Sequence, residues 1–123
     1  MSGDPSPKEA GVRPLASNER ELLDALLRRE FPGVGELRLQ ARQTSASPGC
    51  TCGCGTIALH VPDDSPRSSA SHLVPVEGTV VTAEGEPIGG LLLFVDDGRL
   101  SSLEVYAYGD DPLPMPRPEQ VRW

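Results

Sequence analysis

Apolar residues recur at helical spacing once, near the start of the chain, and at a spacing of two thereafter. Leu22, Leu23, Leu26 and Leu27 fall on one stripe, with Ala25 beside them and Phe31 closing it. This spacing predicts an amphipathic helix over residues 17–31. Ser17 and Asn18 are favourable N-caps, and Asn18 with Glu21 has the spacing of a capping box. Arg28 and Arg29 suit the negative end of the helix dipole, and Pro32 with Gly33 stops the helix. One helix cannot bury such a stripe by itself, but it can when laid across a sheet.

From residue 36 the period changes. Leu37, Leu39 and Ala41 alternate with Arg38, Gln40 and Arg42, which predicts a half-buried strand over residues 36–42. Residues 43–49 read as a loop. Residues 56–61 read as a second strand with Ile57, Leu59 and Val61 on one face, and residues 63–71 as a polar loop. A third strand over residues 73–82 contains Pro75, which favours a sheet edge because proline donates no ladder hydrogen bond. Residues 83–90 form a turn-rich connection, and the run Leu91-Leu92-Leu93-Phe94-Val95 reads as a buried strand. Asp96-Asp97-Gly98 is a hairpin signal. On the returning strand, residues 100–108, Leu103, Val105 and Ala107 share one face and Glu104, Tyr106 and Tyr108 the other. Leu100 is out of phase, and a bulge at Ser101–Ser102 would return it to the core.

The expected architecture is α+β: one N-terminal amphipathic helix on an antiparallel sheet of about five strands, with an extended Pro-rich C-terminal arm. Residues 1–13 are expected to be a disordered leader, 14–109 a single domain, and 110–123 the arm. With four prolines, residues 110–123 are expected to hold no regular structure, either as an extended arm packed on the domain or as a free tail. Leu113, Met115, Val121 and Trp123 would dock it on the domain. Of the two faces of the sheet, one would carry Arg38, Gln40, Arg42, Glu104, Tyr106 and Tyr108.

Composition narrows the function. The 123 residues carry a net charge of -7, and only five are aromatic: Phe31, Phe94, Tyr106, Tyr108 and Trp123. A pI near 4.7 argues against nucleic-acid binding, which depends on Lys and Arg neutralising phosphates. No apolar run reaches the length of a membrane span, and residues 2–10 lack the hydrophobic stretch of a signal peptide. The expectation is a cytoplasmic location. The charge is uneven: residues 1–67 have nine acids and eight bases, residues 68–123 nine acids and three bases. An acidic second half of this kind reads first as a solvated surface and second as a face that meets a basic protein partner.

All three cysteines, Cys50, Cys52 and Cys54, lie within five positions. Three readings compete: a metal site, redox chemistry between neighbouring thiols, and small residues packed beside glycines at the entry to a strand. In a flat strand successive sulfurs would project about 6.6 Å apart, so a turn at Gly53 is needed for them to converge. Zinc would also need a fourth donor. His60 lies roughly 20 Å away along an extended strand, which leaves His72. Structural zinc ordinarily shows two paired spacings, and this chain has C-x-C-x-C alone. The structural reading is preferred. No cofactor is expected, with zinc on Cys50, Cys52, Cys54 and His72 as the candidate.

The segments ELLDALLRREFPGVGELRLQ, CTCGCGTIALHV and LLLFVDDGRLSSLEVYAYGDD, taken with the Pro-rich end, resemble a group of small single-domain proteins from high-GC actinobacteria that have no assigned function. The resemblance implies a bacterial cytoplasmic protein and carries over no activity, cofactor or catalytic residue. No G-x-S-x-G, P-loop, G-x-G-x-x-G or H-E-x-x-H is present. The expectation is therefore a non-enzymatic protein-binding module, of the inhibitor or immunity kind. It would meet its partner through Tyr106, Tyr108, Glu104, Arg38 and Arg42. The alternative is a small metal-binding protein using the cysteines.

Overall fold

The computed structural model describes residues 12–49, 55–70 and 76–123. Two helices, α1 (Ser17–Leu27) and α2 (Val34–Ala41), accompany seven strands. The strands are β1 (Arg13–Pro14), β2 (Ser45–Pro48), β3 (Ile57–His60), β4 (Val76–Val81), β5 (Pro87–Asp96), β6 (Arg99–Ala107) and β7 (Val121–Arg122). They form one antiparallel sheet in the order β1-β2-β3-β6-β5-β4-β7. The α+β class and the antiparallel sheet match expectation. The expected single helix is two, and the expected five strands are seven.

The Leu stripe of α1 behaves as its spacing requires: Leu22, Leu23 and Leu26 are fully buried and Leu27 nearly so. The cap differs. Ala16, not Ser17 or Asn18, is the N-cap, and Glu19 supplies the oxygen: the Ala16 N–H donates to Glu19 Oε1 at 2.7 Å. Arg13 holds the same carboxylate through both guanidinium nitrogens, at 2.8 and 2.9 Å. That fork explains the shift of register, because β1 brings Arg13 beside the first turn. The Arg13 guanidinium, then the Ala16 N–H, hold the Glu19 carboxyl below its ordinary value against the opposing cost of burial. Asn18 instead reaches Pro116 O at 3.5 Å. At the other end α1 stops at Leu27, four residues before Phe31.

Residues 36–42 are helical rather than extended. In α2 the buried positions are Val34, Leu37, Gln40 and Ala41, while Leu39 is 47% exposed. The apolar alternation misled because polar Gln40 occupies a buried position and Leu39 faces water. Gln40 has no exposed surface, and all its hydrogen-bonding groups are used. Its Nε2 donates to Pro66 O (2.7 Å) and Gly98 O (2.8 Å), and its Oε1 accepts the Leu100 N–H (2.9 Å). A buried amide satisfied at three points costs little and fixes geometry. It ties α2 to the loop after β3 and to the β5–β6 hairpin.

The two helices cap each other. Arg38 of α2 donates from Nε to Leu27 O at 2.7 Å, at the end of α1, and pairs with Glu30 at 2.9 Å. Arg20 of α1 donates to Ala41 O, at the end of α2. Each guanidinium thus satisfies a carbonyl left without an intrahelical partner. Between the helices Gly33 takes a φ of +90°, a conformation that favours glycine, and Ser68 Oγ donates to its carbonyl at 2.6 Å.

The hairpin and the bulge are where the sequence placed them. Asp97 and Gly98 both have positive φ, 52° and 75°, as a two-residue hairpin turn with Asp-Gly requires. Phe94 pairs with Ser102 and Val95 with Leu100, so Ser101 is the extra residue on β6 and Leu100 returns to the core at 3% exposure. β5 begins at Pro87, inside the stretch read as a connection, and β2 occupies the stretch read as a loop. Arg13, assigned to the leader, is in β1. Residues 1–11, Pro75, His72 and the three cysteines lie outside the described residues.

Against the expectation of no regular structure in residues 110–123, the Pro-rich arm ends in it. A short 3-10 turn, Pro118–Gln120, leads into β7, which pairs Val121 with Val80 and Arg122 with Thr79 of β4. Val121 is buried, whereas Trp123 lies against Gly78 and stays 43% exposed. The arm is thus an integral edge strand, which a pattern dominated by proline conceals. Among the described residues no helix is long and apolar enough to cross a membrane.

Candidate functional site

Strand alternation sorts the sheet into two faces, and the helices cover one of them. On that side lie Leu91, Leu93, Val95, Leu103, Val105, Ile57, Leu59 and Val80, all buried. On the other side lie Glu77 and Thr79 of β4, Leu92 and Phe94 of β5, Ser102, Glu104 and Tyr106 of β6, and Ala58 and His60 of β3. None of these nine is fully buried. Among the described residues no helix covers this second face, and it is the candidate site.

Its centre is set by cross-strand pairing. Tyr106 stands opposite Gly90, and the ring lies over the glycine: a Cβ there would fall within 2.3–2.4 Å of two ring carbons and the phenolic oxygen. The absence of a side chain at Gly90 lets the aromatic lie down on the sheet. Tyr108 follows, with its ring centroid 5.9 Å from that of Tyr106 and the planes tilted by 49°. Such tilted pairs are a favourable aromatic arrangement. Tyr106 is 45% exposed and Tyr108 58%. Partial desolvation first, then Tyr108 and Glu77, push the Tyr106 phenol above its ordinary pKa. Glu104 accepts a hydrogen bond from Ser102 at 3.0 Å, which orients its carboxylate along the strand.

The structure therefore brings together Glu104, Tyr106 and Tyr108, as expected, and separates Arg38 and Arg42 from them. Those two arginines sit on α2, on the covered side of the sheet, where Arg38 caps α1 and Arg42 is the C-cap of α2. Gln40, assigned to the same polar face, is in the core. Reading α2 as a strand produced all three misplacements. Sequence reasoning also missed Leu92 and Phe94, because an unbroken apolar run reads as buried on both sides. Here only its alternate members are buried.

His60 is not isolated. Its Nε2 lies 2.7 Å from Ser47 Oγ, across the β2–β3 ladder. A serine and histidine at that distance have the geometry of a nucleophile and its base. Yet Ser47 is only 6% exposed, and among the described residues no carboxylate is hydrogen-bonded to the histidine. The bond knits β2 to β3. No group of three or more His, Cys, Asp or Glu side chains among the described residues is arranged to hold a metal ion. Comparison of the chain with protein-family models, with curated proteins and with solved structures found no match to any of them.

Proposed function

We propose that the protein is a non-enzymatic binding module, of the inhibitor or immunity kind, that meets a basic protein partner through the uncovered face of its sheet. One observation carries this reading. Leu92 lies between Glu77 and Glu104 in one cross-strand row, with Tyr106 and Tyr108 to one side of that row and Phe94 to the other, on strands held rigid by a fully packed opposite face. Rigid aromatics give large contact area at little entropic cost, and they are the residues that dominate interface energies. The two carboxylates would guide and orient a cationic partner.

Competing occupants fit less well. Sheet-face aromatics stack bases in some RNA-binding domains, but such faces are ringed by cations. Here the charged groups at the centre, Glu77 and Glu104, are acidic, Arg122 stands only at the β7 edge, and the chain has a net charge of -7. A second copy would bring acid against acid.

The test is a photo-crosslinker placed at Thr79 in the expressed protein, with the captured partner then purified. A basic protein whose affinity falls at least about tenfold on Tyr106→Ala, and again on Glu104→Lys, supports the proposal. A partner bound equally well by both variants overturns it.

A further inference from the structure

The arm that supplies β7 also assembles a second surface feature, at the β7 edge of the sheet beside the β4–β5 turn. The 3-10 turn Pro118–Gln120 folds the chain back before β7 pairs with β4. Arg117 and Arg122 consequently line one cleft of about 500 Å³, with Thr82, Ala83, Glu119 and Gln120. Arg122 Nη2 reaches over the β4–β5 turn, to 3.9 Å from where a Cβ on Gly85 would stand. Residues 68–123 contain three basic side chains, and two of them converge here.

Convergence of like charges is unfavourable unless something compensates it. Arg13, Arg38 and Arg67 are each paired with a carboxylate, and Arg20 and Arg99 donate to backbone carbonyls. Among the described residues neither the Arg117 nor the Arg122 guanidinium has a carboxylate or carbonyl partner. The hydrogen-bond polarity of the lining points the same way. Gln120 Oε1 already accepts the Arg117 N–H at 2.9 Å, which leaves its NH₂ group to donate. Thr82 Oγ1 already accepts the Glu86 N–H at 3.2 Å, which leaves its O–H to donate. The cleft is thus rich in donors and carries two positive charges against the single carboxylate of Glu119.

We propose that this cleft binds the carboxylate of a small organic acid bearing a hydroxyl or ammonium group. A planar carboxylate matches the guanidinium fork, and Arg117 and Arg122 would share its two oxygens. A net lining charge of one suits a single carboxylate rather than a dianion. A phosphate dianion would face Glu119 in the cleft, the exposed Glu84 and Glu86 on the adjoining turn, and the field of a strongly acidic chain. Glu119 accepts the hydroxyl or ammonium proton and so distinguishes such acids from simple carboxylates. Arg122 stands in one cross-strand row with Thr79, Gly90 and Tyr106, so the cleft adjoins the β7 edge of the uncovered face; the titration needs no protein partner, so either reading can fail without the other.

The experiment follows the arginine Nε–Hε signals by NMR during titration with L-lactate, acetate and inorganic phosphate at matched ionic strength. Lactate should shift the Arg117 and Arg122 signals saturably, acetate more weakly and phosphate more weakly still. Arg117→Gln and Arg122→Gln should each weaken lactate binding about tenfold. Glu119→Gln should remove the preference for lactate over acetate. Arg117 lies outside β7 and is exposed, so its variant reads binding even if Arg122→Gln disturbs the edge strand. No saturable shift below roughly 100 mM lactate, phosphate binding as tight as lactate, or unchanged affinity in Arg117→Gln would each overturn the proposal.

Discussion

On the helix side of the sheet Leu91, Leu93 and Leu103 have no exposed surface; on the opposite side their immediate neighbours Leu92, Phe94 and Glu104 are half-buried. The residues on the two sides of β5 are equally apolar. What separates them is cover: α1 and α2 lie on one face only. Hydrophobicity therefore tells which strands are stable but not which face is finished. An apolar face without cover has a use for contact that its covered twin does not.

Substitutions on β5 and β6 should break the comparison most sharply. Leu103→Ala, on the covered face, is expected to cost about 2–5 kcal/mol, and Leu26→Ala in α1 a similar amount. Leu92→Ala, on the uncovered face, is expected to cost about 1 kcal/mol. Urea unfolding of the three variants reads the difference. Equal losses at Leu103 and Leu92 would mean that something covers the second face as well.

The next effect concerns the polar link beneath the helices. Gln40→Ala strands the Leu100 N–H and two carbonyls, and should cost about 2–3 kcal/mol. Amide exchange should show the Leu100 N–H losing protection before the centre of β5 does.

A smaller effect depends on pH. The Glu19 carboxyl is held below its ordinary value by Arg13 and the Ala16 N–H. Its contribution is complete above the unfolded-state pKa and is lost as pH falls through the folded value. Stability should thus fall on acidification below about pH 4.5, by roughly 1 kcal/mol more in the native protein than in Glu19→Gln. Parallel curves for the two proteins would refute this role.

The smallest expected change in stability is at the proposed contact itself. Tyr106→Ala removes a half-exposed ring lying on Gly90 and should cost about 0.5–1 kcal/mol. In the intact protein the Tyr106 phenol should titrate above the ordinary tyrosine value, as ultraviolet difference spectra would report.

Several elements were legible because a local cause was sufficient for them. The Leu22, Leu23, Leu26 and Leu27 stripe has one good solution at 3.6 residues per turn. Asp97-Gly98 accepts the positive φ values of a tight hairpin, and the phase of Leu100 against Leu103 called for the one extra residue found at Ser101. Tyr106 and Tyr108 share a face with Glu104 because strand alternation leaves them no other arrangement. By itself, then, the sequence determined α1, the β5–β6 hairpin and the residues that can meet on its outer face.

Tertiary structure decided the rest, because there the deciding partner is far away in the chain. Gln40 belongs in the core only because Pro66, Gly98 and Leu100 offer it three hydrogen bonds, and without them residues 36–42 alternate like a strand. Arg38 looks like a surface ligand until the end of α1 lies beneath it. Val121 and Arg122 become a strand only when β4 presents an open edge. The choice of finished face follows from where two helices pack, and no periodicity along β5 encodes that: the run from Leu91 to Val95 is apolar on both sides, and long-range contact alone distinguishes them.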